Sequence, residues 1–246
     1  MRRWGLGLGG LLAIALFVGL GGQLGEVATE SVPAPASMVS PDKQPTESDV
    51  ARSPSQELTQ APASGPQSNS SGFGELLAQL NIADETTSGY DRALFKHWID
   101  VDGDGCNARR EVLIIEAIEP PTVGSGCELI GGLWYSVYDG VTTKDDGDFD
   151  IDHMVPLKEA WDSGANAWNE DRRRAFANDL DLEEALVAVT ASSNRSKSDK
   201  DPADWLPPLA SYHCQYIRDW MVVKIKWELS VDSREFAALR SVASGC

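Results

Sequence analysis

An α+β domain, mainly helical and stapled by disulfides, is what the sequence predicts for residues 73–246, on three observations. FDIDH (149–153) alternates apolar and polar residues, and LVAVT (186–190) is short and rich in β-branched side chains, as strands are. Around them, segments such as 212–229 repeat apolar residues every three or four positions, as helices do. All four cysteines, at 106, 127, 214 and 246, fall in this one region.

Upstream the composition is different. Residues 1–28 read as a signal peptide or a membrane anchor, because Arg2 and Arg3 precede an uncharged, Leu/Gly/Ala-rich run. That run is near the lower limit for a membrane span, which needs roughly 17 to 25 residues. Residues 29–72 are rich in Pro, Ser, Ala, Thr and Gln and show neither helical nor strand periodicity. Such a segment buries too little apolar surface to offset its ordering entropy, so a disordered linker is expected. The protein is then secreted, or tethered to the outer face of the cell membrane or wall, with membrane contact only through an uncleaved first segment. Export makes two disulfides the expectation. Of the three pairings, Cys106 with Cys127 and Cys214 with Cys246 are favoured because each closes a local loop. A zinc site is the competing reading, but the chain has no CxxC pair or His at ligand spacing.

The formal net charge of −17 excludes a broadly basic nucleic-acid surface. A polyanionic substrate would have to be held by a local basic patch and by metal.

In chain order, 74–82 (GELLAQLNI) and 91–98 (DRALFKHW) carry helical spacing, with Asp91 near a helix start. His97, alone on the second, reads as packed or solvated. The stretch DVDGDGCNARRE places Asp100, Asp102, Asp104, Gly105 and Glu111 at the spacing of a calcium loop, three carboxylates wrapping one hard cation and a glutamate closing the shell. The bland alternative is an ion-free Asp-Gly turn. Residues 111–117 are a strand or a buried helix, 131–140 a strand between glycines, and 141–148 a polar turn whose Asp145, Asp146 and Asp148 read most simply as solvated, the alternative being that they crowd an active-site metal. A half-buried strand then ends at Pro156. Helices follow at 157–168 and 171–180, the latter with Arg172, Arg173 and Arg174, of which one or two contact phosphate at most. After the strand 186–190, Ser192, Ser193 or Asn194 caps a helix. Residues 202–208 (PADWLPP) form a rigid connector, 212–229 a long amphipathic helix and 231–242 a final helix capped by Asp232 or Ser233.

The chemistry centres on FDIDHMVPL (149–157) and SNRSKSDKDP (193–202). Phosphodiester hydrolysis needs a deprotonated water, neutralised charge on phosphorus and a stabilised leaving oxygen. A neutral His153 can take the water proton. Asp152 and Asn194 offer a hard anionic and a neutral oxygen, a ligand set that leaves Mg²⁺ or Mn²⁺ several open positions. Arg195 or Lys197 would hold phosphate. Neighbours on a regular strand face opposite sides, so a strand end or bulge at His153 is required for Asp152 and His153 to serve one site. No GxSxG elbow and no HExxH helix competes.

DIDHMVPL together with Trp161, Ser163, Gly164 and Ala165, FANDL (176–180), NRSKSDKDPADWLPP, YHCQYIRDW and Cys246 resembles the secreted actinobacterial HNH endonuclease-like proteins related to the C-terminal domain of GmrSD-type restriction enzymes. The short DIDH and NRSKS motifs are also similar to the HNH domain of CRISPR effector nucleases. The resemblance spans residues 73–246 and implies a ββα-metal core, with Asp152 and Asn194 as metal ligands, His153 as general base and Lys197 at a basic position near the site. Where HNH proteins often carry a third ligand at the end of the helix, this chain has Lys197, Lys200 and Asp201, and Asn178 is the candidate to complete or orient the set. The expected activity is metal-dependent hydrolysis of DNA with little sequence preference and no implied soluble protein partner. The alternative is a non-catalytic, calcium-stabilised surface or wall-associated domain.

Overall fold

The computed structural model describes residues 70–246, and the leader or anchor expected at 1–28 lies outside them, as does nearly all of the expected linker. The described residues fold as a mixed α/β unit in which helices predominate. The chain opens with α1 (Ser70–Gln79) and β1 (Asn81–Ile82), then α2 (Ala108–Ile115), β2 (Thr122–Val123), β3 (Leu129–Ile130), β4 (Trp134–Tyr135), β5 (Thr142–Thr143) and β6 (Phe149–His153). It continues through α3 (Leu157–Asp162), α4 (Glu170–Phe176), β7 (Leu186–Thr190), α5 (Ala191–Lys197), α6 (His213–Lys226), β8 (Ser230–Val231) and α7 (Ser233–Ala243). The strands pair as four two-stranded sheets among the described residues. Three are antiparallel; β1 and β8 pair in parallel, bringing the start of the domain beside its last helix.

Local sequence explains most boundaries. Asn107, Asn169 and Asp232 each accept a backbone N–H at the start of α2, α4 and α7. The stretch 111–117, left between strand and helix by its composition, is thus mostly the body of α2. The helix expected at 91–98 is only one 3₁₀ turn, Arg92–Leu94, capped by Asp91. Beyond it the chain is pulled out of helical geometry by the Asn178 side chain, which accepts from Ile99 N and donates to Lys96 O. The strand expected at 131–140 shrinks to β4. Gly131 and Gly132 have φ of 72° and 102°, and a Cβ on Gly132 would lie 2.4 Å from the Trp134 ring. The cap of α5 is Thr190, whose Oγ1 accepts from Ser193 N, so Ser192, Ser193 and Asn194 lie inside the helix instead of before it.

One core runs through the unit, with Trp134, Tyr138, Phe95, Phe149, Tyr216 and Trp220 buried at its centre. Within it Lys224 joins four elements: its Nζ donates to Glu159 Oε1 (2.6 Å), Ser163 Oγ (2.7 Å), Ser230 O (2.8 Å) and Glu235 Oε2 (3.2 Å). Burial works against that ammonium, yet the Glu235 and Glu159 carboxylates carry its pKa above the ordinary lysine value. Both expected disulfides are present, Cys106–Cys127 and Cys214–Cys246. By loop-closure entropy each contributes roughly 3 kcal/mol.

Candidate active site

Strand β6 pairs with β7 in regular antiparallel register from Phe149↔Thr190 to His153↔Leu186, with no bulge. Alternation therefore sends Phe149 and Ile151 into the core and Asp150 and Asp152 toward α5. Because α5 follows β7 immediately, its residues Asn194 and Lys197, three apart on one face, lie over these two carboxylates. Asn194 Nδ2 is 3.4 Å from Asp150 Oδ2, and Arg195 Nε is 3.8 Å from the same oxygen.

Asp152 is buried. Its Oδ2 accepts from Tyr138 Oη at 2.6 Å and forms an ion pair with Lys197, whose Nζ also donates to the His153 and Met154 carbonyls. Burial pushes the Asp152 carboxyl up and the Lys197 ammonium down, each restrained by the other's charge.

His153 points to the opposite side of the strand. Its Nε2 lies 3.0 Å from Ala177 O, and a carbonyl only accepts, so Nε2 carries the proton and Nδ1 keeps its lone pair. The ring stacks on Phe176 and lies 5.2 Å, centroid to centroid, from Trp98. Burial, reinforced by His97, Arg92 and Lys197 and opposed by the Ala177 bond, pulls its pKa down to about 3. At neutral pH the imidazole is an uncharged acceptor.

Among the described residues, the sealed side-chain polar atoms without a partner are Asp162 Oδ1 and Tyr216 Oη. Asp152 Oδ1 and His153 Nδ1 make no hydrogen bond to another described residue, and both side chains are buried. Half-buried Asn194 likewise has its Nδ2 engaged and its Oδ1 without a protein partner. Each of the three side chains thus has one atom anchored and another unpartnered.

The remaining residues expected at the site divide. Arg195 is exposed and able to meet a phosphate. Lys197 has no exposure, so the phosphate contact expected of it is corrected: its charge is spent on Asp152. Asn178 is likewise committed, its amide bonded to Lys96 O, Arg174 O and Ile99 N, and it orients chain instead of substrate. Arg174 is exposed and paired with Asp171 at 3.0 Å. In the acidic loop the ligand atoms of Asp100, Asp102 and Asp104 lie within 4.8 Å of one another, and Glu111 joins Asp104 and Cys106 in a second such group. The Asp100, Asp102 and Asp104 carboxylates accept backbone N–H groups within the loop. Burial, then repulsion from Asp104, Asp102 and Asp100, raises the Glu111 pKa.

Sequence reasoning passed over Tyr138, Asp150, Trp98 and the Ala177 carbonyl. Only Asp150 carried a readable signal, since it shares a strand face with Asp152.

Residues 128–242 match the family model described as GmrSD restriction endonucleases, C-terminal domain. A protein of Arthroderma benhamiae described as an uncharacterized secreted protein is 44% identical over 172 residues, covering 70% of this chain and 83% of that protein. No solved structure matches.

Proposed function

Because this chain belongs to the family of GmrSD restriction endonuclease C-terminal domains, we propose that it is a secreted, divalent-metal-dependent endonuclease that hydrolyses DNA with little sequence preference. The observation that carries this reading is the set of three half-anchored side chains, Asp152, His153 and Asn194, at the junction of β6 and α5. In this reading β6, β7 and α5 are an HNH-type ββα core. Residues 73–246 are the nuclease domain, 29–72 its linker and 1–28 the leader or anchor. Two disulfides and the secreted relative support export.

The donor set fits a hard divalent ion. Asp152 Oδ1 and the Asn194 amide oxygen would hold Mg²⁺ or Mn²⁺, with Asp150 beside them, and few protein ligands leave room for water and phosphate. When bound, the ion would neutralise charge on the phosphate and stabilise the departing oxygen. In this reading His153 accepts the proton of the attacking water at Nδ1, the Ala177 carbonyl fixing its ring and tautomer; burial makes the imidazole a weak base, so the role requires that bound substrate raise its pKa toward the working pH. In-line displacement sets the attacking and departing oxygens on opposite sides of phosphorus. The divergence of His153 from Asp152 at the end of β6 suits a phosphate straddling that strand end, and no bulge is needed. Lys197 and Tyr138 hold Asp152 Oδ2 and leave Oδ1 unpartnered, and Arg195 steadies the phosphate.

Purified protein should nick plasmid DNA in Mg²⁺ or Mn²⁺, and EDTA should stop it. His153→Ala should slow cleavage by about 10²-fold or more, the usual cost of losing a general base. Undiminished cleavage by that variant would remove the assignment.

The acidic loop supports a second, separate role: calcium held by Asp100, Asp102, Asp104 and Glu111 as a structural clamp on α2. A non-catalytic, calcium-stabilised domain is the reading that remains if the nuclease assay is negative and calcium still raises the melting midpoint.

A further inference from the structure

Trp98 is one of the non-glycine residues with positive φ, at 58°, a backbone conformation that costs energy for a bulky side chain and persists only when its surroundings enforce it. The enforcement is visible. Asn178, buried at the end of α4, accepts from Ile99 N at 3.0 Å and donates to Lys96 O at 2.7 Å and Arg174 O at 2.8 Å, gripping the chain on both sides of Trp98. The grip turns the indole onto His153, at 5.2 Å between centroids and 30° between planes, while His97 meets its edge at 77°. Trp98 is nevertheless only half-buried. Beside His97, the residue before it, is exposed Arg92, whose Nη2 lies 3.4 Å from His97 Nε2, a cation near an aromatic pair in a molecule of net charge −17.

A core tryptophan needs neither a strained backbone nor exposure. An aromatic plane beside the residue proposed to activate water, with a cation on the neighbouring side chain, is a way in which proteins hold unpaired bases while a phosphate is presented. We propose that Trp98 is a stacking platform for an unpaired nucleobase flanking the scissile phosphate, so that the preferred substrate is single-stranded or locally unpaired nucleic acid. This extends the nuclease reading and rests on it. Arg92 would meet the phosphate next to that base, and Asn178 is the positioning residue that sets the platform. An intact duplex keeps its bases stacked inside and offers Trp98 none.

The test measures binding of fluorescein-labelled 12-mers in Mg²⁺, in a His153→Gln background that silences cleavage. One oligonucleotide carries all its bases and the other a run of abasic sites. With Trp98 present, the base-bearing strand should bind about tenfold more tightly than the abasic one, the usual effect of one stacked base. Trp98→Ala should abolish that preference while leaving abasic binding unchanged, and Trp98→Phe should keep most of it. A purely structural tryptophan would weaken both strands equally, and that result overturns the proposal. So does equal binding of the two strands by the Trp98 protein, a comparison that needs no variant at position 98 to fold. Absence of binding to either strand overturns it as well. Base-dependent binding in a protein that cuts nothing would leave the platform standing and the nuclease reading fallen. Cleavage indifferent to Trp98→Ala in protein that keeps His153, with equal binding of both strands, would do the reverse.

Discussion

Lys197 and Lys224 are both buried without residual exposure, yet they are held in different ways. Lys224 faces two carboxylates, a hydroxyl and a carbonyl from three parts of the chain, and Glu235 is further fixed by the Trp220 indole. Lys197 faces one carboxylate, and that carboxylate keeps one oxygen without a partner among the described residues. Burial lowers the pKa of Lys197, whereas the surplus of negative charge raises that of Lys224. The first network spends its hydrogen-bonding capacity on itself and serves as scaffold. The second is built round a single carboxylate and two backbone carbonyls, and that carboxylate lies where chemistry is proposed.

The sharpest way to break this contrast is Lys224→Met, which leaves Glu159 and Glu235 facing each other without a cation. Loss of one partner from such a buried network should cost about 3–5 kcal/mol in a urea melt. A loss under about 1 kcal/mol would make the hub no better than a surface pair. Lys197→Met should cost less, roughly 2–3 kcal/mol, because Asp152 retains its Tyr138 bond and can take up a proton at its open oxygen. Equal losses in the two variants would erase the distinction.

Carboxyls buried with no lysine extend the comparison. Glu116 donates no charge to a cation; burial first, and repulsion from Glu183, push its pKa up to about 7 against the bond from Ala188 N. Its contribution to stability is therefore fully present below the unfolded-state value near 4.5 and is lost as the pH rises through about 7. Wild-type protein should lose on the order of 1–2 kcal/mol between pH 5 and pH 8 that Glu116→Gln does not lose. Parallel pH profiles for the two proteins would refute this. The smallest effect belongs to the acidic loop, where the carboxylates have no cation from the protein at all. Calcium at tenfold over its dissociation constant should add about 1.4 kcal/mol, read as a rise in melting midpoint that Asp102→Ala removes. A midpoint indifferent to calcium would mark the loop as a plain turn.

The strands that matter most were legible because their patterns are local: FDIDH alternates, LVAVT is β-branched, and both form at the expected residues. The disulfide pairing was legible for the same reason. What sequence could not disclose was set by contacts distant in the chain. The segment 91–98 has helical spacing, but past the 3₁₀ turn Asn178, some eighty positions later, holds Lys96 and Ile99 out of helical geometry. Lys197 reads as a phosphate ligand until the Asp152 carboxylate and two carbonyls are found around it. The anchoring of Asp152 Oδ2 depends on Tyr138, in a segment that reads as strand but forms one only at Trp134–Tyr135.

The pairing of β6 with β7 also has a kinetic side. Residues 154–185, with α3 and α4, must be looped out before His153 meets Leu186, and α5 closes over Asp150 and Asp152 only afterwards. Contacts that bridge so much chain form late, since loop-closure entropy must be met before they yield anything. A chain released only as far as α4 holds Asp152 and His153 but neither the strand that orders them nor the helix that brings Asn194. On the proposed nuclease reading, such a chain lacks an assembled site, and the site arrives only with the completed fold.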